Sequence, residues 1–280
     1  MIYYSDGGID LSYTGYKVLE LQENDLEDLY QGRYKREDFL ENEYLIVGEE
    51  PVDYFCWHNG QFERVMYPEL GNNFTGKMKP RNPQQYCAMD LLRREDIPLK
   101  LITGNFGSGK SMMCIVHALD MLQEGKFERI IFVRNNVQVK DTDPLGALPG
   151  DMYDKSLPYL MPFADHCGGV DGIERLISEG KLEVIPLAFL RGRSIRNSII
   201  YSMESENLTK EHIQLIMGRV DEGSQLWLDG DIKQRDKAAF EKSQGLELMV
   251  ERLKGHKLFG YVHLVKSERS EVAQLCDLLD

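Results

Sequence analysis

From about residue 82 onward the chain alternates short, unbroken apolar runs with longer mixed stretches. The runs are KLIT (100–103), RIIFV (129–133), LEVIPLAFL (182–190), SIIYSM (198–203), QLWLDG (225–230) and YVHLV (261–265). A strand reads as a continuous apolar run when helices cover both faces of its sheet. Helix-patterned stretches separate most of these runs, so the pattern predicts an α/β fold around a mostly parallel central sheet. Before residue 80 the pattern differs. VDYFCW and QFERVMY flank His58-Asn59-Gly60, and Asn-Gly between two strand-like runs predicts a hairpin. ENDLEDLYQG predicts a short helix stopped at Gly32, and NEYLIVGE predicts another strand. LGNNFTGKMKPRNP, with two glycines and two prolines, reads as a linker. The expected division is a small β-rich N-terminal domain with its linker, residues 1–79, and a larger domain, residues 80–280.

Composition narrows the functional classes. Hydrophobic residues make up 42% of the 280, enough for a sizeable core. The net charge of −13 excludes nucleic-acid binding through overall charge, so any such contact needs a local basic strip. RGRSIR supplies one, with Arg191, Arg193 and Arg196. They could contact RNA phosphates or a nucleotide held by a neighbouring subunit. The five cysteines are scattered without CxxC spacing and read as free thiols of a reducing compartment. No run approaches the ~18 apolar residues of a membrane span. MIYYSDGGID lacks the basic and apolar regions of a signal peptide. No membrane contact and a cytoplasmic location are therefore expected.

Gly104-Asn105-Phe106-Gly107-Ser108-Gly109-Lys110-Ser111 fits G-x-x-x-x-G-K-[ST] in full. Glycines let a backbone wrap closely around phosphates with its N–H groups inward. Lys110 would reach the β- and γ-phosphates, and the Ser111 hydroxyl would hold Mg²⁺. KLIT before the motif reads as a strand, and the apolar MMCIVHALDML after it reads as a buried helix whose N-terminus favours anions. These eight residues and Met112 are candidate nucleotide ligands. Gly230-Asp231-Ile232-Lys233-Gln234 ends a second strand and places an acid and an amide at the carboxyl edge of the sheet. Gln234 could bond the γ-phosphate or the attacking water, and Asp231 could approach the metal. His117 on the helix after the P-loop reads as packing.

The chain resembles the PhoH family of P-loop ATPases, in particular the PhoH part of PIN–PhoH fusion proteins. The segments that carry the resemblance are PRNPQQ, GNFGSGKS, LPGDMYDKSLPYLMPF, PLAFLRGRSIRNS, ENLT, GDIKQRD and HLVKSERSE, with Tyr13-Thr14-Gly15-Tyr16-Lys17 and Asn42-Glu43-Tyr44 ahead of them. The resemblance implies a RecA-like core similar to the first motor domain of superfamily 1 helicases. It implies that Gln85 reads adenine, that Glu204 orients the attacking water and that Arg269 meets the phosphates. It also implies RNA as a partner and a homo-oligomeric ring, such as a hexamer. The PIN nuclease domain of the fusions has no counterpart among these residues, so ribonuclease activity is not expected.

One position departs from the family pattern. The family's Asp-Glu-Ala-Gln-Asn aligns with Met203-Glu204-Ser205-Glu206-Asn207, so a thioether stands where an aspartate supports Mg²⁺. Magnesium prefers hard oxygen ligands. A hydrogen bond to a charged group is worth about 1.5–3 kcal/mol, so metal binding or turnover should fall roughly 10- to 150-fold unless another acid compensates. Asp229 and Asp231 are the candidates for that compensation. The expected function is a Mg²⁺-dependent ATPase, weakened by Met203. The alternatives are a nucleotide-binding assembly or regulatory module that does not hydrolyse, and a small-molecule kinase, which the Gly-Asp-x-x-Gln segment disfavours.

Overall fold

The computed structural model describes residues 12–48, 53–66, 70–72, 76–134, 152–232 and 245–268. In chain order the first half contains β1 (Tyr16–Leu19), α1 (Glu23–Tyr30), β2 (Glu43–Val47), β3 (Asp53–His58), β4 (Gln61–Arg64), β5 (Leu70–Asn72), β6 (Gly76–Met78), α2 (Pro83–Arg93), β7 (Leu99–Gly104), α3 (Lys110–Gln123) and β8 (Arg129–Arg134). The second half contains α4 (Met152–Cys167), α5 (Val170–Ser178), β9 (Leu182–Pro186), β10 (Ser198–Ser202), α6 (Lys210–Met217), β11 (Gln225–Gly230), α7 (Gly245–Leu253) and β12 (Phe259–Leu264).

The central sheet has six parallel strands in the order β12-β7-β11-β10-β8-β9. Side chains alternate between its faces, as strand geometry requires. Ile102, Ile130, Phe132, Ile199, Tyr201, Trp227 and Val262 point to one side, where they pack with α2, α3, α4 and α5. Leu101, Ile131, Val133, Ile200, Leu226, Leu228 and Tyr261 point to the other, against α6 and α7. Both faces are covered, which is why the strands carry unbroken apolar runs. The chain is an α/β fold around a six-strand parallel sheet, with the P-loop motif after β7 and a small N-terminal β-sheet.

That second sheet has four strands in the order β1-β2-β3-β4, with β1 parallel to β2 and the rest antiparallel. Asn59 (φ 51°) and Gly60 (φ 79°) take the left-handed turn that the hairpin needs. One face packs Leu45, Val47, Phe55 and Phe62 with Leu29 of α1. Tyr44, Ile46 and Cys56 on the other face join the core shared with α2. Tyr44 donates from its hydroxyl to Asp90 at 2.7 Å, and Tyr54 stacks on Tyr86 with centroids 3.9 Å apart.

The strand prediction needs two corrections. The run 182–190 is a strand only as far as Pro186, and Leu187–Leu190 form a 3-10 turn. Proline offers no N–H to continue the ladder. The expected linker contains the antiparallel pair β5 and β6, with Gly71 inside the first strand and Gly76 at the start of the second, while Pro83 opens α2. The segment LPYLMPF lies within α4, with Leu160 and Phe163 buried, whereas LPGD falls outside the described residues.

The N-terminal segment also caps an exposed edge. β12 is an outer strand, and its His263 N–H donates to the Thr14 carbonyl at 2.9 Å. Gly15 (φ 82°) passes so close that a Cβ there would lie 1.8 Å from the Tyr261 carbonyl oxygen. Asn42, itself left-handed at φ 65°, donates from Nδ2 to the carbonyls of Lys257 (3.0 Å) and Phe259 (2.9 Å). Its Oδ1 faces His58 Nδ1 at 3.0 Å. Removing this amide orphans buried carbonyls. Asn42→Ala is expected to cost about 2–3 kcal/mol in urea unfolding, with the denaturant dependence unchanged.

Candidate nucleotide site

β7 ends at Gly104 and α3 begins at Lys110, so the P-loop is the turn between them. Gly107 (φ 77°) and Gly109 (φ 85°) are left-handed, a conformation that costs a residue with a Cβ. At Gly104 the restriction is space, because a Cβ would lie 2.7 Å from the Leu264 carbonyl oxygen. The loop carbonyls are anchored from outside. Gln85 Nε2 donates to Ser108 O (3.0 Å), the Glu268 N–H to Gly107 O (3.0 Å) and Ser267 Oγ to Phe106 O (3.3 Å). Asn82, the N-cap of α2, holds Glu268 Oε1 at 2.7 Å. In a trans peptide the next N–H points away from the carbonyl. Anchoring the Phe106 and Ser108 carbonyls therefore turns the Gly107 and Gly109 amides toward the cavity that these glycines line. Ser108 Oγ is buried and has no hydrogen-bond partner, as expected of an atom that awaits a polar ligand.

The cavity has a volume of about 350 Å³. Phe106, Gly107, Gly109, Lys110, Ser111 and Met112 form one wall, and Glu204, Glu206 and Asp231 face them. Lys110 Nζ lies 3.4 Å from the Asn105 carbonyl, a long contact that is easily exchanged for a phosphate oxygen. The Ser111 hydroxyl bonds the Asp229 carboxylate. Asp229 is fully buried and also accepts from Tyr201 OH (3.0 Å) and from the Glu204 N–H (2.9 Å). Burial raises its pKa, opposed by the hydrogen bonds from Ser111, Glu204 and Tyr201 and by the charge of Lys110.

Glu204 is exposed at the cavity rim with φ 52°, so its backbone turns sharply out of β10. Glu206 Oε2 accepts the Asp231 N–H at 3.2 Å. Gly230 lets it approach, since a Cβ there would lie 3.0 Å from that oxygen. Burial, helped by the Asp229 and Glu204 charges, raises the Glu206 carboxyl to about 7. Met203 is half-buried and packs against the main core. Among the described residues no three His, Cys, Asp or Glu side chains form a ready-made metal cluster. The Ser111 hydroxyl and the facing carboxylates are nevertheless hard oxygens, which suit a Mg²⁺ ion held mainly by phosphates and water.

The cavity thus brings Phe106, Gly107, Gly109, Lys110, Ser111 and Met112 of the predicted loop together with Glu204 and Asp231. Gln85 is placed behind the loop, where Nε2 holds Ser108 O and Oε1 accepts the Arg81 N–H at 2.9 Å. Gln234 and Arg269 lie outside the described residues. Arg193 and Arg196 stand at the opposite edge of the sheet, near the starts of the strands. Arg193 pairs with Glu183 at 2.7 Å and Arg196 with Asp221 at 2.9 Å, and Arg191 adjoins them in sequence. Strand β10 alone separates the two edges by roughly 16 Å. Glu206 and Tyr201 were not anticipated. The only sequence signal for Glu206 is a second acid two positions after Glu204. His117 is buried as expected, with Nδ1 2.7 Å from the Met113 carbonyl.

The family described as PhoH-like protein matches residues 77–277. The chain belongs to the PhoH family. It is 37% identical to Protein PhoH2 of Bacillus subtilis (strain 168), over 96% of this chain and 65% of that protein. It is 33% identical to a PhoH-like protein of the same organism, over 69% of this chain and 60% of the relative. Protein PhoH2 of Thermobispora bispora is 33% identical, over 71% and 46%. The chain therefore spans between 46% and 65% of the length of these relatives. Among solved structures, the large terminase of the thermophilic bacteriophage D6E aligns with a TM-score of 0.42 and 13% identity, over 71% of this chain and 50% of the terminase. This PhoH-family chain carries a complete P-loop motif between β7 and α3. Among its described residues no helix is long and apolar enough to cross a membrane.

The raised Glu206 carboxyl has a defined pH signature. Between its ordinary value of 4.5 and about 7 the folded state holds a proton that the unfolded state releases. Its contribution to stability is therefore full at acid pH and declines as pH rises through that window. Urea unfolding of wild type and Glu206→Gln should show the wild type losing stability relative to the variant between pH 5 and pH 8. A constant difference would mean that Glu206 titrates normally.

Proposed function

We propose that this chain is a Mg²⁺-dependent ATPase with a helicase-like core. The observation that supports this reading best is the P-loop cavity itself, with Lys110 and Ser111 on one wall and Glu204 and Glu206 on the other. The α/β-phosphates would lie against the Gly107 and Gly109 amides and the N-terminus of α3, with Ser108 Oγ as a further contact. Lys110 would take the β- and γ-phosphates, and the second N–H and second lone pair of the Gln85 amide would meet adenine. Water attacks the γ-phosphorus, the bond to the bridging oxygen breaks, and the water's proton passes to a carboxylate at the rim, for which Glu204 is our choice. Gln234 and Arg269 would orient the water and stabilise the growing charge. Ser111, with Asp231 nearby, would hold Mg²⁺, which would supply neutralisation of the phosphate charge.

We further propose RNA as the macromolecular partner and a homo-oligomeric ring as the assembly, with Arg191, Arg193 and Arg196 at a contact remote from the chain's own P-loop. Salt would then weaken RNA binding steeply. Met203 favours a second reading, a nucleotide-binding module that does not turn over, because its thioether offers magnesium no hard ligand.

Phosphate release from ATP separates the two readings. Wild type should release phosphate above a Glu204→Gln control. Lys110→Ala should weaken ATP binding by roughly 10- to 150-fold, the loss of one charge-assisted contact. Release no faster than in Glu204→Gln would leave the binding module as the function.

A further inference from the structure

Asp229 takes no part in the reaction proposed above, yet it is fully buried beside the P-loop helix. It follows Trp227 on the face of β11 that packs on α3. Tyr201 OH donates to Oδ2 at 3.0 Å, the Glu204 N–H donates to Oδ1 at 2.9 Å, and the Ser111 hydroxyl bonds the same carboxylate. All three partners can act as donors, so the group is satisfied as an acceptor. Burying a carboxylate is costly unless charge and hydrogen bonds compensate, and Lys110 is the cation that acts on it.

The bond from Ser111 fixes a direction. A hydroxyl has one proton and two lone pairs. Giving that proton to Asp229 leaves the lone pairs for the cavity that Ser111 lines, the orientation a hydroxyl needs to bind a cation. The strands place this acid in a specific relation to Met203. β10 and β11 run parallel with Ser202 opposite Leu228, so Met203 and Asp229 are the next pair across the ladder. A side chain at Asp229 therefore reaches the P-loop helix at the same level as one at Met203, from the adjacent strand.

We propose that Asp229 is the outer-shell acid of the metal site, a positioning residue that orients the Ser111 hydroxyl toward Mg²⁺ and supplies from β11 the carboxylate that position 203 lacks. This rests on the reading of the cavity as a Mg²⁺–nucleotide site. Asp229 itself does not touch the reacting atoms.

The test is binding of a fluorescent ADP analogue, measured for each variant with excess Mg²⁺ and again with EDTA. The ratio of the two affinities reports the metal contribution and is independent of how much of the variant is folded. Wild type should bind more tightly with Mg²⁺. Asp229→Asn should reduce that advantage about tenfold or more while leaving the EDTA affinity unchanged, and Met203→Asp in the same chain should restore part of it. If wild type gains from Mg²⁺ and Asp229→Asn gains equally, or if its affinity falls alike in both buffers, Asp229 is a structural acid and the proposal fails alone. If wild type binds no nucleotide, or gains nothing from Mg²⁺, the Mg²⁺–nucleotide reading fails and the proposal with it.

Discussion

A phosphate-binding loop must hold its amides toward an empty space while no ligand is present. Those amides repel one another's dipoles and would otherwise turn to find acceptors. In this protein the problem is solved from outside the loop. Gln85 of α2 and the segment Ser267–Glu268 after β12 take the outward carbonyls, and two left-handed glycines supply the bends. The helix before the sheet and the segment after its last strand therefore support the same turn, residues 105–109. Because the anchoring is in place beforehand, little ordering cost remains for the nucleotide, which is what preorganisation means energetically.

The N-terminal sheet belongs to the same system of support. It buries Tyr44, Ile46 and Cys56 against α2, the helix that carries Gln85, and its Asn42 bridges to the start of β12. Thr14 and Gly15 run along the outer edge of β12 and remove an open ladder. The residues that flank the P-loop on both sides thus rest on an element remote from it in sequence.

Much of this was legible in the chain. The apolar runs located the six strands of the parallel sheet, and Asn59-Gly60 located the hairpin, because burial on two faces and positive φ each leave a direct mark on residue choice. The glycine-lysine-serine motif located the site for the same reason. The carboxylates were harder to read. Glu206 looks like a polar residue of a loop until Gly230, far along the chain, is seen to make room for it. Tyr201 looks like one more apolar strand residue, although its hydroxyl reaches Asp229 across the ladder. Such partnerships join residues more than twenty positions apart, and no local period records them. The partners of the basic cluster were hidden as well, since Arg193 and Arg196 stand out in an acidic chain and are met by Glu183 and Asp221.

The central claim is that the loop between β7 and α3 grips the phosphates of a nucleotide. Calorimetric titration of the protein with a slowly hydrolysed ATP analogue in excess Mg²⁺ tests it most directly. The account predicts a saturable isotherm with one site per chain, competed by ADP. A flat titration at protein concentrations that detect millimolar affinity would contradict it.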